Sequence, residues 1–330
     1  MRQILAAVAA SCFVLAAQAQ PQPGGARFER IAAIAGAKMR EYGVPGVALG
    51  ILDSGSVVTR GLGVTSVEDP QTITAHTVFP IASISKTFAA TAMMRLVEQG
   101  KVDLRAPVRT YLPDFRVQDD AVSRDVTVWN LLTHSSGWEG QIAPADRGEE
   151  TLKNFVASMS GSMQLAPPGA AWSYNNAGFS VAGRVIEVVT GMSINRAIRE
   201  LVFTPLGLTH AGTTAGEFIT YPFALGHFNR GNDPPALQRP FAPSTSVTAG
   251  GVGISLTDLL TYARFHLGDG TAGNGAREIP EASATGRIAA IAGTSTSRPA
   301  LVTSTQRAPL LASASAIPAS AASGGTSGRT

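Results

Sequence analysis

Ser83-Ile84-Ser85-Lys86-Thr87-Phe88-Ala89-Ala90-Thr91-Ala92-Met93-Met94-Arg95-Leu96-Val97-Glu98-Gln99-Gly100 is the stretch on which the reading of this chain turns. Ile84, Phe88, Ala92 and Leu96 fall on one helical face, with Ala89, Met93 and Val97 beside them, so a helix is predicted over Ser83–Gln99 with Gly100 as its stop. A helix apolar around most of its girth belongs in the middle of a fold. At its start Ser83 and Lys86 lie one turn apart on the same face. A serine hydroxyl is a poor nucleophile near neutral pH and needs a base; a lysine serves only where burial or a neighbouring charge lowers its pKa. The helix N-terminus adds free N–H groups and a positive dipole end, which favour negative charge on a reacting oxygen. The tetrapeptide alone equally fits a serine N-cap followed by an exposed lysine.

Upstream, Ile31, Ile34, Ala35 and Met39 recur at helical spacing from Phe28 to about Gly43. Val47–Leu52 and Val57–Val64 read as two strands joined by Asp53-Ser54-Gly55-Ser56, a hairpin at a sheet edge. Downstream, helices are predicted over Val126–Leu132, Ala177–Val189, Ser193–Leu201 and Ser255–Leu267. The last has a capping box in Ser255-Leu256-Thr257-Asp258 and a stop at Gly268. Early strands followed by many helices indicate an α+β domain.

The composition narrows the function classes. The 330 residues, 44% hydrophobic and 15% charged, suffice for one large or two small domains. The net charge is only +3 and the 22 Arg and four Lys are scattered, so no nucleic-acid footprint is present. No apolar run reaches the roughly 18 residues of a membrane span. Arg2, the apolar stretch Ile4–Ala17 and Ala17-Gln18-Ala19 make residues 1–19 a signal peptide, with 20–27 as linker, so export to the periplasm or medium is expected. Cys12 is the only cysteine, which leaves the mature chain without disulfides, thiol nucleophiles or thiolate metal sites. His76, His134, His210, His227 and His266 lie far apart, without a metal-binding helix pattern; neither a metal nor another cofactor is implied. In the tail, 34 of the 50 residues from Glu281 to Thr330 are Ala, Ser, Thr or Gly, so 276–330 reads as low-complexity and disordered.

Two other features bear on the serine. Tyr174-Asn175-Asn176 follows the turn-rich Pro167-Pro168-Gly169 and precedes the helix from Ala177. A tyrosine beside a lysine can relay a proton, and an asparagine can both donate to and accept from a substrate amide; a helix-capping Asn with a packed Tyr fits as well. Leu131-Leu132-Thr133-His134-Ser135-Ser136-Gly137 is a helix end running into a small-residue loop. His134 has no acid partner by spacing, and the loop reads as structural or substrate-bordering. Trp138, Trp172 and Tyr111 are aromatic neighbours whose expected role is packing.

Phe79-Pro80-Ile81-Ala82-Ser83-Ile84-Ser85-Lys86-Thr87-Phe88, the Leu-Leu-Thr-His-Ser-Ser-Gly stretch, Tyr174-Asn175-Asn176-Ala177-Gly178-Phe179 and Ala249-Gly250-Gly251 occur in one order. Together they resemble the β-lactamase-related serine hydrolases, which include class C β-lactamases, penicillin-binding D-alanyl-D-alanine peptidases and family VIII carboxylesterases. The resemblance covers about residues 28–275. It implies an antiparallel sheet flanked by helices beside a mainly helical lobe, with the site between them. It also implies Ser83 as acylated nucleophile, Lys86 as base or base-partner, Tyr174 as proton relay, and Asn176 holding the substrate amide and Lys86. The substrate would be a small-molecule or peptidoglycan-like acyl compound: an ester, a β-lactam or a D-amino-acid peptide. The alternatives are a non-catalytic penicillin-binding-like module and an inactive product. Oligomeric state is left open.

The family's third motif, Lys-Thr-Gly or a His-x-Gly variant on a late strand, is not matched. No lysine follows Lys153; His210-Ala211-Gly212 lies in a predicted turn, and His266-Leu267-Gly268 closes a helix. The expectation from sequence is therefore a truncation or reading-frame shift near Ala276, with the closing strands missing.

Overall fold

The computed structural model describes residues 25–53, 55–145, 148, 150–230, 233–239, 245–268 and 310–315. Helix α1 (Gly25–Tyr42) is followed by the hairpin of β1 (Gly46–Asp53) and β2 (Ser56–Gly63), paired from Gly46 opposite Gly63 to Asp53 opposite Ser56. Strand β3 (Val78–Pro80) leads through a 3-10 turn, Ala82–Ile84, into α2 (Ser85–Glu98). The helical lobe continues with α3 (Asp120–Asp125), α4 (Val128–Leu132), α5 (Thr151–Ser158), α6 (Asn176–Thr190) and α7 (Ile194–Ile198). A wide π turn, Arg199–Phe203, then joins α7 to α8 (Thr204–Leu206). After β4 (Ala211–Gly212) and α9 (Ala215–Phe218), a second hairpin forms from β5 (His227–Arg230) and β6 (Asp233–Leu237). The last elements are α10 (Val247–Gly250), β7 (Gly253–Ser255), α11 (Leu256–Leu267) and β8 (Leu310–Ser315). The strands group as β2-β1-β8, β3-β7-β4 and β5-β6, all antiparallel.

The two-residue period of β1 explains how its sheet is covered on both faces. Ala48 and Leu52 pack with Leu256 and Leu260 of α11, while Leu49 packs with Phe28 and Ala32 of α1. A Cβ at Gly50 would stand 2.8 Å from Leu260 Cδ1, so the missing side chain is what lets α11 lie this close to β1. The largest core belongs to the helical lobe, where Phe88, Met93 and Leu96 of α2 are fully buried with Phe179, Val185 and Ile186 of α6. Phe88 stacks on Tyr262 of α11 at 3.9 Å between centroids, tying the lobe to the sheet's own helix. The expected α+β architecture is therefore present, an antiparallel sheet flanked by helices beside a mainly helical lobe.

The structure differs locally from the sequence reading at several points. The helix predicted from Ser83 starts at Ser85, because Ala82–Ile84 wind more tightly as a 3-10 turn. Helices α3, α5, α9 and α10 and the β5–β6 hairpin were not expected; α3 spans six residues, too few for a periodic signal, and is set by Asp119, whose side chain accepts from the N–H groups of Ala121 and Val122. Within the tail read as disordered, Leu310–Ser315 form β8 and pair with Val47–Leu52, so one strand stands where none was expected. The reason is tertiary: β1 has a row of N–H and C=O groups on the side away from β2, and even a six-residue segment can satisfy it. Residues 269–309 and 316–330, where the rest of the expected tail falls, lie outside the described residues, as do 1–24. His210-Ala211-Gly212 runs into β4 rather than a turn, with β7 between it and β3.

Candidate active site

β3 delivers the chain to Ser83, and two bonds anchor that corner. Ile81 N–H donates to Val252 O at 3.0 Å, and the fully buried Ser85 accepts the Val252 N–H at Oγ, also at 3.0 Å. Ala82 has φ +46°. Among the described residues the only other non-glycine with positive φ is His134, at +57°. Such backbone persists only where the surroundings over-determine it. Both residues border the same site, and Ser83 itself stays exposed.

Lys86 is 3% exposed, and its Nζ meets Ser83 Oγ at 3.2 Å, Asn176 Oδ1 at 2.8 Å and Ala249 O at 2.7 Å. These three neutral acceptors match the three donors of an ammonium. Nζ also lies 4.7 Å from the centre of the Tyr174 ring. Burial, with no carboxylate among these partners, pushes the Lys86 pKa down to about 8. The exposed-lysine alternative is thus not what the fold builds.

The Tyr174 hydroxyl donates to Ser83 Oγ at 2.5 Å. The next two residues divide the labour that their residue types alone left ambiguous. Asn175, 1% exposed, is the N-cap of α6: its Oδ1 accepts the Gly178 N–H at 2.7 Å and its Nδ2 donates to Trp138 O at 3.0 Å. Asn176, the first residue inside the helix, turns its Oδ1 to Lys86 and its Nδ2 to Gln141 Oε1 at 3.4 Å. A Cβ at Gly140 would stand 2.4 Å from Tyr174 O, so a side chain there would push the two segments apart.

His134 lies beneath this segment, 2% exposed, its ring stacked on Tyr174 at 4.7 Å and 27°. Nδ1 accepts the Asn175 N–H at 2.9 Å, which leaves the neutral ring's proton on Nε2. Burial, and then the charge of Lys86, push its pKa down to about 4. Trp138 is fully buried against Phe115, and the Tyr111 hydroxyl accepts from Asp103 N; both are packing residues. Trp172 is half-exposed, edge-on to His134.

Ser83, Lys86, Tyr174 and Asn176 therefore share one hydrogen-bond network: an exposed hydroxyl between a phenol and a buried amine of lowered proton affinity. Two further groups in it carried no assigned role in the sequence reading. The Ala249 carbonyl and the Gln141 amide act through backbone or neutral contacts. Only the recurrence of Ala249-Gly250-Gly251 among the ordered blocks marked one of them.

The family model described as Beta-lactamase matches residues 31–306. Penicillin-binding protein 4 of Amycolatopsis lactamdurans is 36% identical over 247 residues, covering 74% of this chain and 65% of that protein. Esterase EstB of Burkholderia gladioli is 30% identical over 204 residues, covering 57% and 52%. The chain thus spans less than two thirds of the length of either relative. A class C β-lactamase from Rhodobacter sphaeroides superposes with a TM-score of 0.65 at 29% identity, covering 78% of this chain and 69% of that one.

Proposed function

The chain belongs to the Beta-lactamase family of serine hydrolases, and on that footing we propose that it is an exported hydrolase working through an acyl-enzyme on Ser83. The observation that carries this is the placement of Ser83 Oγ between Lys86 Nζ, 3.2 Å away, and the Tyr174 hydroxyl, 2.5 Å away. With a pKa near 8, about a tenth of Lys86 is neutral at pH 7 and able to accept the Ser83 proton. Oγ then attacks the carbonyl carbon, and the bond to the leaving group breaks as that group takes a proton through Tyr174. Water reverses the path to release the acid. Asn176 keeps Lys86 in place and offers its amide nitrogen to a substrate carbonyl. The substrates are esters, β-lactams or D-amino-acid peptide-like carbonyls. The leader-like residues 1–19 support export. Likeness to a penicillin-binding protein favours one second reading, a module that is acylated once and stalls.

Intact-mass spectrometry after incubation with a fluorophosphonate and, separately, a penicillin tests the reading. One stoichiometric adduct, absent in Ser83→Ala, is expected, and turnover of an ester then separates enzyme from stalled binder. Folded, soluble protein that takes up neither reagent would refute acylation at Ser83.

A further inference from the structure

We infer that His134 is a positioning residue that holds the Tyr174 hydroxyl against Ser83. The residues on either side of Tyr174 both bond this one histidine: Ser173 N–H donates to the His134 carbonyl at 2.8 Å, and Asn175 N–H donates to His134 Nδ1 at 2.9 Å. The ring between those two attachments is the plate on which the phenol lies, 4.7 Å away. Tyr174 is therefore clamped at its backbone on both sides and at its ring.

Two features make this more than packing. Asn175 is buried, and its N–H is the last before α6 begins, so without Nδ1 it would be a buried donor lacking an acceptor. His134 takes a left-handed conformation, φ +57°, to bring carbonyl and ring to the same segment, a conformation the fold must impose. The ring serves as acceptor only while neutral. The titratable groups facing it are Lys86, whose charge disfavours protonation, and Tyr174. Misplacing a reacting group by about 1 Å costs roughly 10²-fold in rate, and the Tyr174 hydroxyl has a single short contact to Ser83 at stake.

The rate arm of the test rests on acylation at Ser83; a hydrogen-exchange arm does not. His134→Phe keeps the ring and removes the acceptor, while His134→Asn keeps an acceptor, suits positive φ and removes the ring. In His134→Phe, fluorophosphonate labelling should slow roughly 10²-fold, with ester KM unmoved and the Asn175 amide newly exchanging. In His134→Asn that amide should stay protected and labelling remain within about tenfold of the wild type. In a Tyr174→Phe background, His134→Phe should add no further loss, because both changes act through one hydroxyl. An equal loss in that background, or wild-type labelling with a protected Asn175 in His134→Phe, overturns the inference. Should the Phe variant not fold, wild-type labelling by His134→Asn with an unprotected Asn175 overturns it alone. If the wild-type chain takes no label, acylation at Ser83 fails and the exchange result still decides for or against His134.

Discussion

Lys86 and Glu217 are both ionisable side chains drawn largely out of water, and the protein treats them in opposite ways. Burial pushes the Glu217 carboxyl up, but N–H groups of Thr213 and Thr214 and the guanidinium of Arg199 outweigh it, so the group sits below the usual carboxylate range. Lys86 meets only neutral oxygens, so no counter-charge offsets desolvation and its pKa falls to about 8. A charge given a counter-charge is frozen in one protonation state; a charge given only dipoles becomes a group that can exchange a proton near neutral pH. The Glu217 corner holds α9 to the π turn. The Lys86 corner is equipped for chemistry.

Removing Lys86 should break the comparison most severely. Lys86→Met removes the proposed base and should lower Ser83 labelling by roughly 10²–10⁴-fold. It also strands Asn176 Oδ1 and Ala249 O, at about 1–3 kcal/mol each, visible in a denaturant melt. Converting one corner into the other comes next. Asn176→Asp places a carboxylate where an amide oxygen now lies 2.8 Å from Nζ, which raises the lysine pKa. Labelling at pH 7 should fall about tenfold for each unit of that rise and recover on the alkaline side, so a full pH–rate profile checks it. In the wild type the same limb should rise through pH 8.

Stability should show the same opposition. For Lys86 the folded chain binds fewer protons than the unfolded chain between pH 8 and the ordinary lysine value of 10.5, so its contribution becomes more favourable as pH rises through that window, by on the order of 3 kcal/mol. For Glu217, with a lowered folded pKa, the contribution is present above its unfolded value of 4.5 and is lost as pH falls through the folded one. Glu217→Gln should cost about 1–3 kcal/mol at pH 7, abolish its part of the acid loss, and leave labelling unchanged. At the bottom of the scale, the Lys38–Glu41 pair on α1 joins two half-exposed side chains; Lys38→Ala should shift stability by less than about 0.5 kcal/mol in melts at low and high salt.

Much of the frame was legible in the chain. The apolar repeats of α2, α6 and α11 and the period-two strands of the hairpin are local signals, and the structure places those elements within a few residues of their predicted bounds. The Ser83–Lys86 pairing was legible because one helical turn brings i and i+3 together wherever the helix sits. Which asparagine caps α6 and which faces Lys86 had no local signal and came only from the family resemblance, since it depends on the one residue at which the backbone turns helical. The Ala249 carbonyl left no trace of its own, because every residue has one. β8 was read as tail because a six-residue strand within an Ala/Ser/Thr-rich stretch has no pattern until β1 offers it an edge.

By itself, then, the sequence determined which elements form and that a serine and a lysine share the start of a buried helix; these follow from periodicity, stops and spacing, which act over a few residues. Only the tertiary structure decided that Tyr174 and Asn176, 91 and 93 positions from Ser83, close on it, that Ala249 O completes the lysine's coordination, and that His134 clamps the tyrosine from below. Those contacts join residues far apart in the chain, and the lysine's proton affinity depends on how completely they exclude water, a quantity that exists only once the lobe has packed.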